Sequence, residues 1–232
     1  EYNLNEPFEL SEKQQKAGSR KQQEYLNQKW RNSCINDTYE PGSVFKIVTA
    51  TAGLEQGKVK VSDHFNCPGF RIVEDRRIRC HKTTGHGSET FREGIMNSCN
   101  PVFMEVGARV GVDGMYDMFQ KLGLFEKTGI GLPGEASSIM HKKKNVKAVE
   151  LATMSFGQSI QITPLQLLRA ASAVVNGGKL ITPHFGVRVV SADGEEEKTL
   201  KYTEEKGVIQ KETSETMREL LEAVVSEGSG KN

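Results

Sequence analysis

The pattern of hydrophobic and polar positions changes sharply near residue 41. Residues 1–38 are polar and carry little apolar periodicity, which predicts exposed helix or loop. Pro41 and Gly42 then break the chain. From Ser43 onward the residues are apolar or small on almost every side, and a helix that is apolar all round is a buried one. Gly57 predicts the end of this helix.

A β-hairpin is predicted a few residues later. Residues 59–82 have the pattern of short strands and turns. Within them, segments 70–73 and 77–80 alternate in polarity and flank a polar turn at 74–76. The pattern therefore predicts two antiparallel strands joined by that turn.

The rest of the chain predicts mostly helices. Strand-like segments occur at 179–182 and 185–190, with a hairpin turn at 193–194 and a partner strand at 198–202. By pattern alone the chain is a mixed α and β protein. Predicted helices begin at 88–90 and after Pro101, and cover 113–122, 148–155, 165–175 and 214–225.

Composition excludes several classes of protein. Of 232 residues, 36% are hydrophobic and 26% are charged, which supplies a sizeable core and excludes a disordered chain. Lys and Arg number 31 against 30 Asp and Glu, so the net charge is +1. This balance argues against a nucleic-acid partner, because nucleic-acid-binding domains usually carry a basic excess. We find no run of about 18 apolar residues that would span a membrane.

The strongest chemical motif is Ser43 with Lys46, at the start of the predicted buried helix. Residues three apart share a helix face, so hydroxyl and amine are neighbours. A serine hydroxyl needs an adjacent base to become a good nucleophile. Burial lowers the pKa of a lysine, and Lys46 is therefore a candidate for that base. The alternative is an N-cap serine followed by an exposed lysine.

A second candidate motif is the Ser98-Cys99-Asn100 segment, just before Pro101. Such a turn can direct a hydroxyl and an amide into one cleft. Ser and Asn also favour ordinary turns, so this motif gains weight only beside Ser43 and Lys46.

The two motifs, in this order and about 55 residues apart, resemble those of penicillin-binding proteins and serine β-lactamases. Further segments resemble class B penicillin-binding proteins, most closely the elongation, division and sporulation transpeptidases of Gram-positive spore-formers. These segments are 39–46 (YEPGSVFK), 85–87 (GHG), 97–101 (NSCNP), 128–135 (TGIGLPGE) and 155–166 (SFGQSIQITPLQ).

The resemblance implies an α/β fold in which helices cover an antiparallel sheet, with an all-helical lobe and the active site between them. It also implies peptidoglycan DD-transpeptidation. Ser43 attacks the D-Ala–D-Ala carbonyl of a stem peptide, Lys46 takes its proton, Ser98 relays a proton to the leaving D-alanine, and Asn100 binds the substrate amide. An amine of a second stem peptide resolves the acyl-enzyme, and β-lactams acylate Ser43.

The expected setting is the extracytoplasmic face of the cell membrane, with a membrane glycosyltransferase as partner. Two other functions stay open. One is a serine β-lactamase or carboxypeptidase, which passes the acyl group to water. The other is a β-lactam sensor, which is acylated once without turnover.

One family motif is out of place. The Lys-Thr/Ser-Gly motif is expected on an edge strand after the last helix, whereas Lys127-Thr128-Gly129 lies in a glycine-rich loop and is interpreted as structural. We therefore expect residues 1–232 to be an incomplete transpeptidase domain. The C-terminal edge strand, N-terminal anchor and pedestal domain would lie outside it.

A candidate zinc site occupies the predicted hairpin and the loop after it. Two thiols and two imidazoles within twenty residues suit tetrahedral zinc, here in a structural role that would pin the loop leading to Ser98. His64 or Asp63 are alternative ligands, and a Cys67–Cys80 disulfide or free buried thiols are alternatives to the metal. The candidate ligands are Cys67, Cys80, His81 and His86.

Overall fold

The computed structural model describes residue 3 and residues 5–195 and 197–231. Nine α-helices and eight short strands occur in these residues. The helices are α1 (Glu12–Gln15), α2 (Ser19–Trp30), α3 (Ser33–Asn36), α4 (Lys46–Glu55), α5 (Phe91–Met96), α6 (Asn100–Lys121), α7 (Ala148–Met154), α8 (Pro164–Val175) and α9 (Lys211–Ser226). The strands are β1 (His64–Cys67), β2 (Phe70–Val73), β3 (Arg76–Arg79), β4 (Gly87–Thr90), β5 (Lys179–Ile181), β6 (Arg188–Val190), β7 (Glu197–Thr199) and β8 (Glu204–Lys206).

Helices and strands both occur along the described residues, which confirms the predicted mixed α/β class, and each strand pair among them is antiparallel. In the described residues they form four two-stranded sheets, β1–β4, β2–β3, β5–β8 and β6–β7. The predicted hairpin is the β2–β3 pair, whose register sets Phe70 opposite Arg79. Pairing of β1 with β4 sets Cys67 opposite Gly87 and so brings β1 next to the loop before β4.

Helix α4 is the centre of the molecule, as its apolar composition predicts. It packs against α6, α8 and α9, and most of its side chains are buried. The Phe45 ring, just before α4, meets the Phe119 ring of α6 edge to face, with ring centroids 5.4 Å apart. This packing fixes the start of α4, where Ser43 and Lys46 lie.

Helix α6 joins two helices that the sequence predicts as separate. Gly111 interrupts it with φ of 76°, a conformation that glycine adopts without steric cost. The segment after Gly111 corresponds to the predicted helix at 113–122. None of the helices in the described part of the chain is long and apolar enough to cross a membrane.

Candidate active site

Lys46 is the centre of the site. Only 5% of its surface is exposed, because it begins a helix that is buried on all sides. Its Nζ lies 3.2 Å from Ser43 Oγ, 3.0 Å from Ser98 Oγ, 2.6 Å from the Ser98 carbonyl oxygen and 2.7 Å from Asn100 Oδ1. The structure therefore brings together the four residues predicted to carry the chemistry.

Burial changes the acid–base chemistry of this lysine. Removal of the ammonium from water is the largest effect, and it lowers the pKa of Lys46 from 10.5 to about 8. A lysine with a pKa near neutrality holds a substantial neutral fraction and can accept a proton. Ser43 itself is exposed, so its hydroxyl is open to a substrate while its neighbouring base is not.

The turn that carries Ser43 rests on Gly157, in the 155–166 segment. Ser43 lies in a 3-10 helix, Gly42–Phe45, and the Gly42 N–H donates to the Gly157 carbonyl oxygen at 2.9 Å. A Cβ on Gly157 would lie 2.2 Å from the Gly42 carbonyl oxygen, and its φ is +78°. Only glycine fits here, so Gly157 positions the Ser43 turn.

The second motif approaches Lys46 through an unusual backbone conformation. Ser98 has φ of 50°, in the left-handed region that non-glycine residues rarely adopt. Such conformations cluster at functional sites. Asn100 begins α6, and while its Oδ1 faces Lys46 its Nδ2 donates to the Arg79 carbonyl oxygen at 3.1 Å. Asn100 thus joins Lys46 to strand β3.

An apolar cavity of about 260 Å³ opens beside these residues. It lies between the start of α4 and helix α9, and in the described part of the chain no carboxylate lines it. The lining residues are Ser43, Val44, Lys46, Ile47, Ala50, Ile95, Ser98, Phe103, Met217, Leu221, Val224 and Ser229.

Lys127-Thr128-Gly129 is not among the residues that line this cavity. Thr128 is buried, and both its backbone N–H and its hydroxyl donate to Glu135 Oε1 at 2.6 Å. These bonds tie the two ends of the glycine-rich loop together, in keeping with the structural interpretation.

Three of the four predicted zinc ligands converge, with a fourth residue that the sequence did not single out. Potential ligand atoms of Cys67, Cys80, His86 and Cys99 all lie within 4.8 Å of one another. All three thiols are free and buried. The antiparallel register brings Cys67 to the loop of His86, and the Ser-x-Asn turn carries Cys99 into the same place.

His81 has a different position. It is exposed, and it is not part of this four-residue group, although its Nδ1 lies 3.8 Å from Cys80 Sγ. In the sequence, only the position of Cys99 between Ser98 and Asn100 pointed to a place near the site. The alternatives His64 and Asp63 are likewise outside the group. Asp63 instead accepts a hydrogen bond from Arg109.

A buried carboxylate borders this cluster. Glu89 is 3% exposed, and its Oε1 has no hydrogen-bond partner within the described residues, although it lies 3.8 Å from His86 Nδ1. Its Oε2 accepts from Asn97 Nδ2 at 3.1 Å. Burial lowers the pKa of His86 and raises the pKa of the Cys99 thiol. His86 is thereby kept in the neutral form that binds metals.

The fold and the site together define a class of protein: a mixed α/β domain in which a serine, a buried lysine and a Ser-x-Asn turn meet in one cleft. The family "Penicillin binding protein transpeptidase domain" matches residues 8–232. The chain therefore belongs to the penicillin-binding protein transpeptidase family.

Individual relatives agree with this assignment. The chain is 43% identical over 206 residues to "Stage V sporulation protein D" of Bacillus subtilis, covering 87% of this chain and 32% of that protein. It is 30% identical over 196 residues to "Penicillin-binding protein PbpB" of Mycobacterium tuberculosis, covering 84% and 28%. It thus spans about a third of the length of these relatives.

Solved structures show the same fold. Penicillin binding protein 3 from Mycobacterium tuberculosis, complexed with aztreonam, is similar with a TM-score of 0.78 and 28% sequence identity. The match covers 86% of this chain and 44% of that one. The predicted penicillin-binding fold is confirmed.

Proposed function

We propose that this chain carries the acyl-transfer site of a peptidoglycan DD-transpeptidase that β-lactams also acylate. The observation that carries the proposal is the position of Lys46 Nζ, within hydrogen-bond distance of both Ser43 Oγ and Ser98 Oγ. A single buried amine can thereby take a proton from the nucleophile and pass it to a second hydroxyl. Relatives named "Probable peptidoglycan D,D-transpeptidase PenA" support the same activity.

The proposed reaction gives each residue the role that the family resemblance implies. Ser43 Oγ attacks the carbonyl carbon between the two D-alanines, and neutral Lys46 takes the hydroxyl proton. As the C–N bond breaks, Ser98 passes a proton to the leaving D-alanine amine, which leaves an ester on Ser43. Asn100 holds the substrate amide. The amine of a second stem peptide then attacks the ester, and its proton returns to Ser43.

The cavity favours transfer to an amine over hydrolysis. In class A β-lactamases a glutamate activates the deacylating water, and no carboxylate lines the cavity in the part of the chain that the structure describes. Apolar side chains from α9, Met217, Leu221 and Val224, form one wall. A long-lived acyl-enzyme therefore distinguishes this site from that of a β-lactamase or carboxypeptidase.

The test uses a fluorescent penicillin with the full-length protein. We expect one covalent adduct by intact-mass spectrometry, with a lifetime of hours, and none in the Ser43→Ala variant. An adduct that persists without the Ser43 hydroxyl would refute the assignment. Formation of a cross-linked dimer from two stem peptides separates a transpeptidase from a sensor, since a sensor would give the adduct and no dimer.

We also propose the cellular setting that the resemblance implies. The chain acts at the extracytoplasmic face of the cell membrane, beside a membrane glycosyltransferase that makes the glycan strands. A similar structure, 28% identical, is described as "a putative peptidoglycan glycosyltransferase from Atopobium parvulum", which associates this fold with peptidoglycan synthesis. The name of the Bacillus subtilis relative supports a role in sporulation.

We propose, finally, a structural zinc ion held by Cys67, Cys80, His86 and Cys99. A tetrahedron with metal–sulfur bonds of about 2.3 Å has edges of about 3.8 Å. The distance from Cys80 Sγ to His86 Nδ1 is 3.8 Å, and the whole group spans no more than 4.8 Å. The donor set therefore fits zinc with only small shifts of side chains.

The role of such an ion follows from where its ligands lie in the chain. Cys99 lies between Ser98 and Asn100, so a bond from its sulfur would fix the turn that presents both side chains to Lys46. Glu89 Oε1 lies 3.8 Å from the same His86 Nδ1, so its carboxylate borders the position proposed for the ion. The ion holds the backbone in place and takes no part in acyl transfer.

A further inference from the structure

The segment that leads to the nucleophile is bonded at two points to the segment that follows α7. At the first point, Tyr39 and Ile162 exchange two backbone hydrogen bonds, each of 3.1 Å. At the second point, the Gly42 N–H donates to the Gly157 carbonyl oxygen at 2.9 Å. Ser43 comes directly after this second point, so its position depends on how the two segments are held together.

The backbone pairing is interrupted between these two points. On one side, Pro41 has no N–H to donate. On the other side, Ser159 has φ of 60°, a left-handed conformation that a non-glycine residue rarely adopts. The side chain of Glu40 joins the segments here, because its Oε1 accepts the Ser159 N–H at 2.9 Å. A carboxylate therefore takes the place of a backbone bond.

The surroundings of Ser159 explain why this bond matters. A residue persists in a strained backbone conformation only when several contacts hold it there. The Ser159 hydroxyl lies 2.8 Å from the Thr153 hydroxyl of α7, and its N–H is held by Glu40. Hydrogen bonds to a charged acceptor are stronger than those between neutral groups. Glu40 thus contributes one of the two side-chain contacts that hold this turn.

We propose that Glu40 is a positioning residue for the nucleophile, an inference that rests on the proposed function. Its carboxylate keeps Ser159 in the left-handed conformation, and the same turn presents the Gly157 carbonyl to Gly42. Without the carboxylate oxygen the turn relaxes, and the Ser43 hydroxyl shifts relative to the carbonyl that it attacks. Neither Glu40 nor Ser159 lines the cavity beside Ser43, so ligand binding is unaffected.

The test compares Glu40→Gln with Glu40→Met in the full-length protein. The two side chains have similar lengths, and only glutamine retains an oxygen that can accept the Ser159 N–H. Stopped-flow fluorescence with a fluorescent penicillin should give a limiting acylation rate about tenfold lower in Glu40→Met, and within about threefold of the unsubstituted protein in Glu40→Gln. The penicillin concentration at half-maximal rate should stay within about twofold in both variants.

Glu55→Met is the matched control. Both Glu55 carboxylate oxygens lie within 3.1 Å of the Gln210 nitrogen and accept its N–H, so this variant also removes a bond from a carboxylate to the backbone. That bond joins the end of α4 to the start of α9, away from the Ser43 turn. Its acylation rate should match that of the unsubstituted protein even if its melting temperature falls. Glu40→Ala is a second variant without an acceptor and should behave as Glu40→Met does.

The outcomes separate the two proposals. Equal acylation rates in Glu40→Gln and Glu40→Met, a change confined to the half-saturating concentration, or an equal loss in Glu55→Met would each overturn the positioning role. Absence of a Ser43 adduct in the unsubstituted protein would instead refute the proposed function.

Discussion

The proposed acyl transfer depends most on a single side chain, Lys46. Its amine is removed from water by the apolar surroundings of α4, yet it contacts the hydroxyls of both Ser43 and Ser98. Desolvation favours the neutral amine, and these hydrogen bonds hold the amine close to both hydroxyls. The residue is therefore suited to receive a proton and then return it.

The pH dependence of acylation tests this role. Because burial lowers the pKa of Lys46 to about 8, the neutral amine increases as the pH rises through 8. We expect the acylation rate by penicillin to rise about tenfold from pH 6 to pH 7 and to level off above pH 8 to 9. Stopped-flow fluorescence with a fluorescent penicillin measures this profile.

Substitution of the base completes that test. Lys46→Ala should slow acylation at least about 100-fold and remove the dependence near pH 8. Its circular dichroism spectrum should match that of the unsubstituted protein. A profile that retains a midpoint near 8 in this variant would assign the titration to another group.

At the level of elements, the active site depends on a close approach between two segments more than 110 residues apart. The 3-10 helix before α4 lies directly on the turn after α7, where Gly157 meets Gly42. The N–H of Gly42 is bonded to the carbonyl of Gly157, so the second segment sets the position of Ser43. The 155–166 segment therefore positions Ser43 through contacts of its backbone.

Alanine at Gly157 should disturb this approach. The added Cβ would lie 2.2 Å from the Gly42 carbonyl oxygen, so the Ser43 turn must shift. We expect acylation to fall about tenfold or more, because small misplacements of a nucleophile are costly. The matched control is Gly177→Ala, where φ is +86° but no atom lies within 4 Å of a new Cβ.

The comparison separates backbone strain from the steric clash. Both variants should lose some stability, seen as a lower melting temperature, since both place alanine at positive φ. Only Gly157→Ala should lose acylation beyond that common effect. If Gly177→Ala slowed acylation equally, the effect would come from general destabilisation.

At the level of the whole molecule, one group of side chains connects several elements. Cys67 ends β1, Cys80 follows β3, His86 precedes β4 and Cys99 precedes α6. An ion held by all four would cross-link the two hairpin-like sheets to the catalytic turn. Because so small a unit has a limited core of its own, metal binding should couple to folding.

Removal of the ion tests this connection. Protein purified without chelators should contain one equivalent of zinc, and chelation should lower the melting temperature by about 5 °C or more. Cys99→Ser and His86→Ala should reduce the zinc content, whereas Cys34→Ser, which changes an exposed cysteine, should not. His81→Ala tests the ligand predicted from the sequence.

A disulfide in place of the zinc ion predicts the opposite response to chelators and reductants. A disulfide between two of the buried cysteines would make the protein sensitive to a reductant and insensitive to a chelator. Elemental analysis that finds no zinc would rule out the metal.

Local sequence by itself determined much of this protein. The spacing of Ser43 and Lys46, the polar turn between β2 and β3, and the proline at the start of α8 act over a few residues, where helix periodicity and turn chemistry suffice. The Ser98-Cys99-Asn100 turn stood out by its residue types, and the family resemblance gave its two polar side chains their expected roles. These predictions did not depend on the tertiary packing of the helices and strands.

Only the tertiary structure decided which distant side chains share a site. Cys99 joins the thiol group and exposed His81 lies outside it, because strand register and the Ser98 turn, not spacing along the chain, set their positions. Which side chains converge depends on how the buried faces of helices and strands pack. The pattern of apolar residues in the sequence shows which faces are buried, but not which faces pack against each other.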